Sequence, residues 1–375
     1  MRSVTFKMAH VTVFAANFCT KPNLTQASRF ATQEFLMIGL QVTEKGKITK
    51  INKMEICDNA DSSKVKITKV MLTPEDFQTI LGDDDVKYPI IPGRIAIGQI
   101  TDASDSAYLQ KGTRVSLSPI ESCGECVECL AGEGEKCVNL KIAGKNTDGF
   151  LRDFAVVDNA IMYALPPSVK DDDALFIDYV ALALAVIDQL GIRKGEHVAV
   201  IGGNMIGTIL SSLIIYYQSV PILIDSKNEN LDRARTSGIY YNLFSDNKLE
   251  KEVSELTGAH MAQKVVYVTD SNINTDVALK IAGYGAKVGF VGFSNPNLKV
   301  NFHLAMKKQL NFECVTGGYG FTEQAINLIA NKAVDLSIYK KPSVKYEGCE
   351  QDIKKIIAAA KEGNLPTAPL VVDMM

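Results

Sequence analysis

From Met37 onward the pattern of apolar and polar positions has two textures. The first is β-rich. Lys47-Ile-Thr-Lys-Ile-Asn52 and Lys64-Val-Lys-Ile-Thr-Lys-Val70 alternate apolar and polar residues, with charged or glycine-bearing turns between such runs. The texture changes near residue 168. Asp171 to Ile192 places Ala174, Leu175, Ile177, Val180, Ala181, Leu184, Ala185 and Ile187 at three- and four-residue steps, which predicts a helix. Beyond it, apolar runs at His197–Ile201, Val220–Ile224, Lys264–Thr269 and Ala286–Val291 alternate with helical patterns. That alternation predicts a parallel sheet covered by helices on both faces. Helices are predicted at Thr322–Lys332 and Glu350–Lys361.

Val198 to Ile224 is 27 residues without a formal charge, longer than the ~20 that a spanning helix needs. Gly202, Gly203, Asn204, Gly207 and Pro221 interrupt it in the manner of turns. A strand, a glycine turn, a buried helix and a second strand would be equally apolar, because a parallel sheet is buried on both faces. No membrane span is expected.

Length and charge narrow the picture. The chain has 375 residues, which at ~150 per domain suggests two. Its 46% hydrophobic and 22% charged residues fit a large core. A net charge of −3 offers no basic surface for a phosphate backbone, so nucleic acid is not an expected partner. Residues 1–36 carry +3, with Arg2, Lys7, Lys21 and Arg29 against Glu34. They read as an extension outside the fold, with organelle targeting as the alternative and the cytoplasm as the default location. The acidic runs Asp83-Asp84-Asp85 and Asp171-Asp172-Asp173 read as turn or helix-start residues, not as metal sites.

Two motifs carry chemistry. Cys123, Cys126, Cys129 and Cys137 form C-x2-C-x2-C-x7-C. Four thiolates at this spacing can close tetrahedrally on one Zn²⁺ and leave no open position, so the expected zinc is structural. An iron–sulfur cluster would match the first three cysteines but not the fourth. The second motif is the strand Val198–Ile201 followed by Gly202-Gly203-Asn204-Met205-Ile206-Gly207 and an apolar helix, one substitution from the dinucleotide fingerprint. Asp225 ends the next apolar run, 18 residues after Gly207. An acid there can hold ribose hydroxyls, which favours NAD(H) over NADP(H), although Lys227 lies close by. Asn204 is the departure, tolerant of left-handed backbone but bulky where a phosphate would approach.

With these pieces in place the chain resembles the medium-chain dehydrogenase/reductase family, in its zinc-containing alcohol dehydrogenase-like branch. The resemblance runs from about Met37 to the C-terminus. It rests on Tyr88-Pro-Ile-Ile-Pro-Gly93 with Gly98, on Lys111-Gly-Thr-Arg-Val115 and on the cysteine lobe. It continues through Asp148-Gly-Phe-Leu-Arg-Asp-Phe154, Lys194-Gly-Glu-His-Val198 and the glycine turn with Asp225. It implies an α/β protein: a GroES-like β-rich domain (37–167 and 319–375, zinc lobe about 121–138) plus a Rossmann doubly wound parallel-sheet domain (168–318). An active cleft would lie between them, with Gly292 near the nicotinamide. A small-molecule substrate and a homodimer or homotetramer follow from the same resemblance.

The family's catalytic zinc ligands do not carry over. Where it has a C-G-x-D segment this chain has Thr73-Pro74-Glu75-Asp76, and its P-G-H-E segment reads Pro92-Gly93-Arg94-Ile95. A further ligand position holds Asp178, and the proton-relay position holds Gln78. None of the four histidines (His10, His197, His260, His303) lies between Met37 and the Rossmann unit. Thr73, Arg94 and Asp178 are therefore the candidate catalytic residues. Arg94 is expected to pair with Asp178 in the vacated metal position, or to supply the positive charge that zinc would have supplied. Thr73 is expected to donate a hydrogen bond to a substrate oxygen. The function expected is an NAD(H)-dependent oxidoreductase with structural zinc only, acting on a carbonyl, conjugated carbonyl or alcohol. The alternative is a catalytically degenerate NAD(H)-binding scaffold or sensor.

Overall fold

The structure is a computed structural model that describes residues 33–57, 61–82, 86–104, 106–293, 297–340, 342–362 and 368–375. Asp83-Asp84-Asp85 and residues 1–32 of the expected extension lie outside the described residues. The fold begins before Met37. Strand β1 (Gln33–Glu44) pairs with β2 (Lys47–Cys57) in an antiparallel hairpin that places Phe35 in the core, so residues 33–36 belong to the fold.

The β-rich unit is built from β3 (Ser62–Leu72), β4 (Ile95–Asp102), β5 (Arg114–Leu117), β6 (Ile120–Glu121), β7 (Lys141–Ile142), β8 (Phe154–Asp158) and β9 (Met162–Ala164). β3 is its hub, pairing antiparallel with both β4 and β8. Helix α1 (Pro74–Leu81) follows β3 directly. The short hairpin β6–β7 brackets a lobe that carries α2 (Val127–Leu130) and all four motif cysteines.

The second unit is a six-stranded parallel sheet of β10 (His197–Ile201), β11 (Val220–Asp225), β12 (Tyr241–Phe244), β13 (Ala262–Val268), β14 (Ala282–Val291) and β15 (Asn311–Val315). Its order, β12-β11-β10-β13-β14-β15, is that of a doubly wound dinucleotide-binding sheet. The chain then returns to the first unit. β16 (Val344–Lys345) and β17 (Leu370–Asp373) extend its sheet, and β17 pairs antiparallel with β3. Among the described residues, no helix is long and apolar enough to cross a membrane.

The predicted Asp171–Ile192 helix is two helices, α3 (Asp171–Ala174) and α4 (Ile177–Leu190), broken at Leu175-Phe176. α4 ends at Gly191, whose left-handed φ of 61° closes the helix. Eleven of the fourteen α4 residues are buried, so the helix is apolar all round and lies within the molecule. It joins one core that includes Met71, Ile95 and Ile97 from the β-rich unit and Val198, Val200 and Val266 from the parallel sheet. α4 is thus the shared wall between the units. The acids of α3 tie down the same junction: Asp171 pairs with Arg114 at 2.6 Å, Asp172 with Lys69 at 2.6 Å and Asp173 with Lys340 at 2.7 Å.

Candidate active site

Thr73 ends β3 and caps α1, with Pro74 opening the helix. The Asp76 N–H donates to Thr73 Oγ1 (3.4 Å), while the Thr73 N–H and hydroxyl donate to Asp76 Oδ2 (2.8 and 3.1 Å). This is a reciprocal cap. This departs from the expectation for Thr73, whose hydroxyl is engaged by the cap at Asp76 while the residue also lines the cleft.

Asp76 reaches further. Its Oδ1 accepts the Gly93 N–H at 3.2 Å and lies 3.8 Å from Arg94 Nε. Gly93 has φ 98°, and a Cβ there would stand 2.9 Å from Val70, so only glycine lets the chain turn back past α1. Arg94 Nη2 donates to Thr79 Oγ1 at 3.1 Å. The expected Arg94–Asp178 pair is therefore replaced by Arg94–Asp76. Arg94 comes off the strand edge toward α1, whose fully buried carboxylate is nearer than α4. Burial pushes the Asp76 carboxyl up, opposed by the guanidinium and by the N–H and O–H groups that favour its charged form.

Arg94 still faces the cleft. It lines a cavity of about 220 Å³ together with Thr73, Glu75, Lys145, Asp178 and Tyr319. Nε is buried without an acceptor, and Nη1 donates to no acceptor among the described residues. Asp178 enters from the first turn of α4 with no hydrogen bond among the described residues, and burial pushes its carboxyl up to about 7. Burial also raises the Glu75 carboxyl. Gln78 does not line this cavity.

A second, outer chamber of about 440 Å³ adjoins the first and shares Pro119, Ile120, Asp178, Phe293, Thr316 and Tyr319 with it. The neck is set by Gly317-Gly318-Tyr319. A Cβ on Gly318 would lie 2.3 Å from the Ala181 backbone and one on Gly317 would lie 2.6 Å from the Tyr319 ring. Two glycines thus let the loop press on α4 and fold the ring over the cleft. Gly292 serves similarly at the end of β14, where a Cβ would meet Thr269 Oγ1 at 2.0 Å, and the next residue, Phe293, lines both chambers.

The glycine turn stands at the same C-terminal rim of the parallel sheet, two strands from β14. Gly202 adopts φ 107°, and a Cβ on Gly207 would stand 1.8 Å from Gly202 O. Both glycines are thus required for the strand and helix α5 (Met205–Tyr216) to meet. Asn204 is not left-handed. It sits at φ −71°, ψ −172°, and its Oδ1 caps α5 by accepting the Gly207 N–H at 3.1 Å. The N–H groups of Met205 and Ile206 open this helix, a place suited to an anion. Asp225 is buried and largely engaged: it accepts from Gly203 N–H (2.6 Å), Lys227 N–H (2.7 Å) and Asn230 Nδ2 (3.0 Å). A carboxylate offers about four acceptor sites, so about one remains for a ribose hydroxyl, not the two expected.

In the lobe, one ligand atom from each of Cys123, Cys126, Cys129 and Cys137 falls within 4.8 Å of the others. Cys126 and Cys129 Sγ are 3.4 Å apart, and Cys123 and Cys129 Sγ are 4.0 Å apart. A tetrahedron with Zn–S bonds of ~2.3 Å has edges of ~3.8 Å, so the cage fits that ion. The N–H groups of Cys123 and Asn139 both donate to Cys137 Sγ at 3.3 Å, as suits a thiolate. Among the described residues no other group of three histidine, cysteine or carboxylate ligands converges in this way.

Thr73, Arg94 and Asp178, the candidates from the sequence, all line one cleft, and Glu75, Asp76 and Tyr319 join them without a place among those candidates. Asp76 had a legible signal, since Thr73-x-x-Asp76 is the spacing of a reciprocal cap. Tyr319 had none beyond its glycine neighbours.

The family model of the alcohol dehydrogenase GroES-like domain matches residues 59–167. A protein of Haemophilus influenzae described as an uncharacterized zinc-type alcohol dehydrogenase-like protein is 24% identical over 266 residues, covering 70% of this chain and 78% of its own. A putative zinc-binding dehydrogenase of Sinorhizobium meliloti, solved with NADP, superposes with a TM-score of 0.79 at 18% identity and covers 91% of this chain and 100% of its own. A protein of Escherichia coli CFT073 described as a short chain alcohol dehydrogenase (rspB), solved with NADH, superposes with a TM-score of 0.79 at 18% identity over 90% of this chain and 99% of its own.

Proposed function

For a chain that belongs to the zinc-type alcohol dehydrogenase-like branch of the medium-chain dehydrogenase/reductase family, we propose a nicotinamide-dependent oxidoreductase in which Arg94 takes the place of the catalytic metal. The observation that carries this reading is the position and the hydrogen bonding of Arg94. It stands where the resemblance places a histidine ligand, is braced by Asp76 and Thr79, lines the cavity, and has acceptors for neither Nε nor Nη1 among the described residues.

The dinucleotide, when bound, supplies or accepts the hydride. Asp225 holds one ribose hydroxyl, and its buried negative charge favours NAD(H) over NADP(H). The first turn of α5 faces the pyrophosphate with its N–H groups. The four cysteines would hold one structural zinc, which would fix the lobe beside the outer chamber.

At the reacting end, Arg94 orients and polarises a carbonyl oxygen from a dry wall, where a fixed positive charge is worth more than in water. Asp178 holds or releases a proton near neutral pH beside it. Tyr319 and Phe293 exclude water at the neck. The substrate class is a carbonyl, a conjugated carbonyl or the matching alcohol. Thr73's engagement with Asp76 favours a second reading, a nicotinamide-binding scaffold without turnover, because one expected donor to the substrate is engaged by the cap.

The test is a panel of aldehydes, ketones, enones and alcohols assayed with NADH, NAD⁺ and their phosphorylated forms. Turnover that survives chelation of any loosely held metal, and falls about 100-fold or more in kcat in Arg94→Ala with cofactor binding kept, supports the reading. Cofactor binding with no turnover across the panel supports the scaffold. Turnover that requires a second zinc overturns both.

A further inference from the structure

The outer chamber has charges of one sign. Its charged lining side chains are Glu121, Glu135, Asp158 and Asp178, and no lysine or arginine lines it. Lys141 answers Glu121. Asp158 spends one oxygen on the Ala160 N–H at 2.8 Å. Glu135 makes no ion pair among the described residues. Asp178 is half-buried and makes no hydrogen bond among the described residues, on the wall that both chambers share. The cleft's cations, Arg94 and Lys145, line only the inner chamber. Tyr163, Tyr319 and Phe293 also line this chamber, and aromatic rings suit a cation.

The cleft therefore has a polarity along its length: the inner chamber sets Arg94 and Lys145 against Glu75 and the shared Asp178, whereas the outer chamber is lined by acids alone, of which Lys141 answers only Glu121. We infer that its substrate is bipolar in the same sense: an amino-substituted carbonyl or alcohol whose oxygen reaches Arg94 while its ammonium group sits among Asp178, Asp158 and Glu135. This inference rests on the reading of the inner chamber as the reacting end. An anionic tail would meet the same carboxylates and be repelled, and a neutral hydroxyl tail would gain no charge pairing. Ser118, Ser122 and Thr322 add oxygens that accept the remaining ammonium N–H bonds.

Three compounds of one chain length separate these cases: 5-amino-1-pentanol, 1,5-pentanediol and 5-hydroxypentanoate. Each is titrated calorimetrically into the full chain saturated with NADH. The expected order is amino alcohol tightest, by about tenfold over the diol, with the carboxylate weakest. Glu135→Gln, on the exposed rim, and the double variant with Asp158→Asn narrow the amine-to-diol ratio stepwise. Equal affinity for amine and diol, a preference for the carboxylate, no binding by any of the three, or a ratio untouched by both variants overturns the inference. NADH that fails to bind at all defeats the dinucleotide reading instead. The same three titrations on the cofactor-free chain then decide the chamber separately.

Discussion

The cysteine lobe and the cleft are the two places where the family resemblance implies metal, and in this chain they have diverged. The lobe draws its four donors from one 15-residue loop, Cys123 to Cys137, that closes on itself. The cleft would have to draw donors from the end of β3, the start of β4 and the first turn of α4, where it has Thr73, Arg94 and Asp178. A site contained in one loop survives any change elsewhere. A site spread over three elements is lost when one ligand changes, because a catalytic zinc needs three protein ligands at once. Under the proposed reading, what takes its place uses neighbours already in the fold. The Asp76 carboxylate and the Thr79 hydroxyl hold a guanidinium, and Gly93 keeps the turn that brings it past α1.

The largest effect expected from this contrast is on metal content and on the stability it brings. The chain should carry one zinc, Cys126→Ser should lose it, and Arg94→Ala should keep it. Structural zinc sites bind with apparent free energies of ~10–16 kcal/mol in small peptides, so the cysteine variant should cost several kcal/mol and melt at markedly lower temperature. Elemental analysis beside calorimetry reads both. Two zincs per chain, with the second lost in Arg94→Ala or Asp178→Asn, would erase the contrast.

A smaller effect probes the ion pair in the cleft. Removing one partner of a buried pair leaves the other charge uncompensated, which costs about 3–5 kcal/mol. Asp76→Ala should show such a loss, since it strands Arg94 and also removes the cap on Thr73 and the acceptor for Gly93 N–H. The double variant Asp76→Ala with Arg94→Met should recover part of it. Urea unfolding of the four proteins gives the coupling, and strictly additive losses would mean that Asp76 and Arg94 do not support each other.

The difference between the two regions also governs how much of each could be read beforehand. The cysteine lobe was legible because its donors are local and chemically unambiguous. So were the parallel strands. His197–Ile201 is buried on both faces and therefore continuously apolar, and its limits in the structure match the apolar run. The break at Leu175-Phe176 was not legible, because both halves keep the apolar period across it. Asn204 misled for another reason. Its type suggested left-handed backbone, but the helix behind it needed a cap, and an extended Asn supplies one. In the cleft, residue types were legible and pairings were not. The expected partner of Arg94 is Asp178, and the pairing with Asp76 instead depends on how the Gly93 turn passes α1, a tertiary fact.

The subtlest test concerns the acid that Arg94 does not hold. Burial without a partner makes the charged form of Asp178 costly, so its folded value near 7 stands above the ordinary 3.8. A folded state that binds the proton more tightly gains stability as pH falls. The penalty begins to appear as pH rises past about 4 and is complete above about 7. Asparagine at this position cannot ionise and escapes the penalty. Asp178→Asn should therefore gain stability over the parent chain as pH rises, by about 2 kcal/mol between pH 5 and pH 8 once partial contact with the chamber's water is allowed for. Denaturant unfolding at the two pH values measures the change directly. A constant difference would mean that a cation answers Asp178 after all, and the cleft would then resemble the lobe more closely than its geometry indicates.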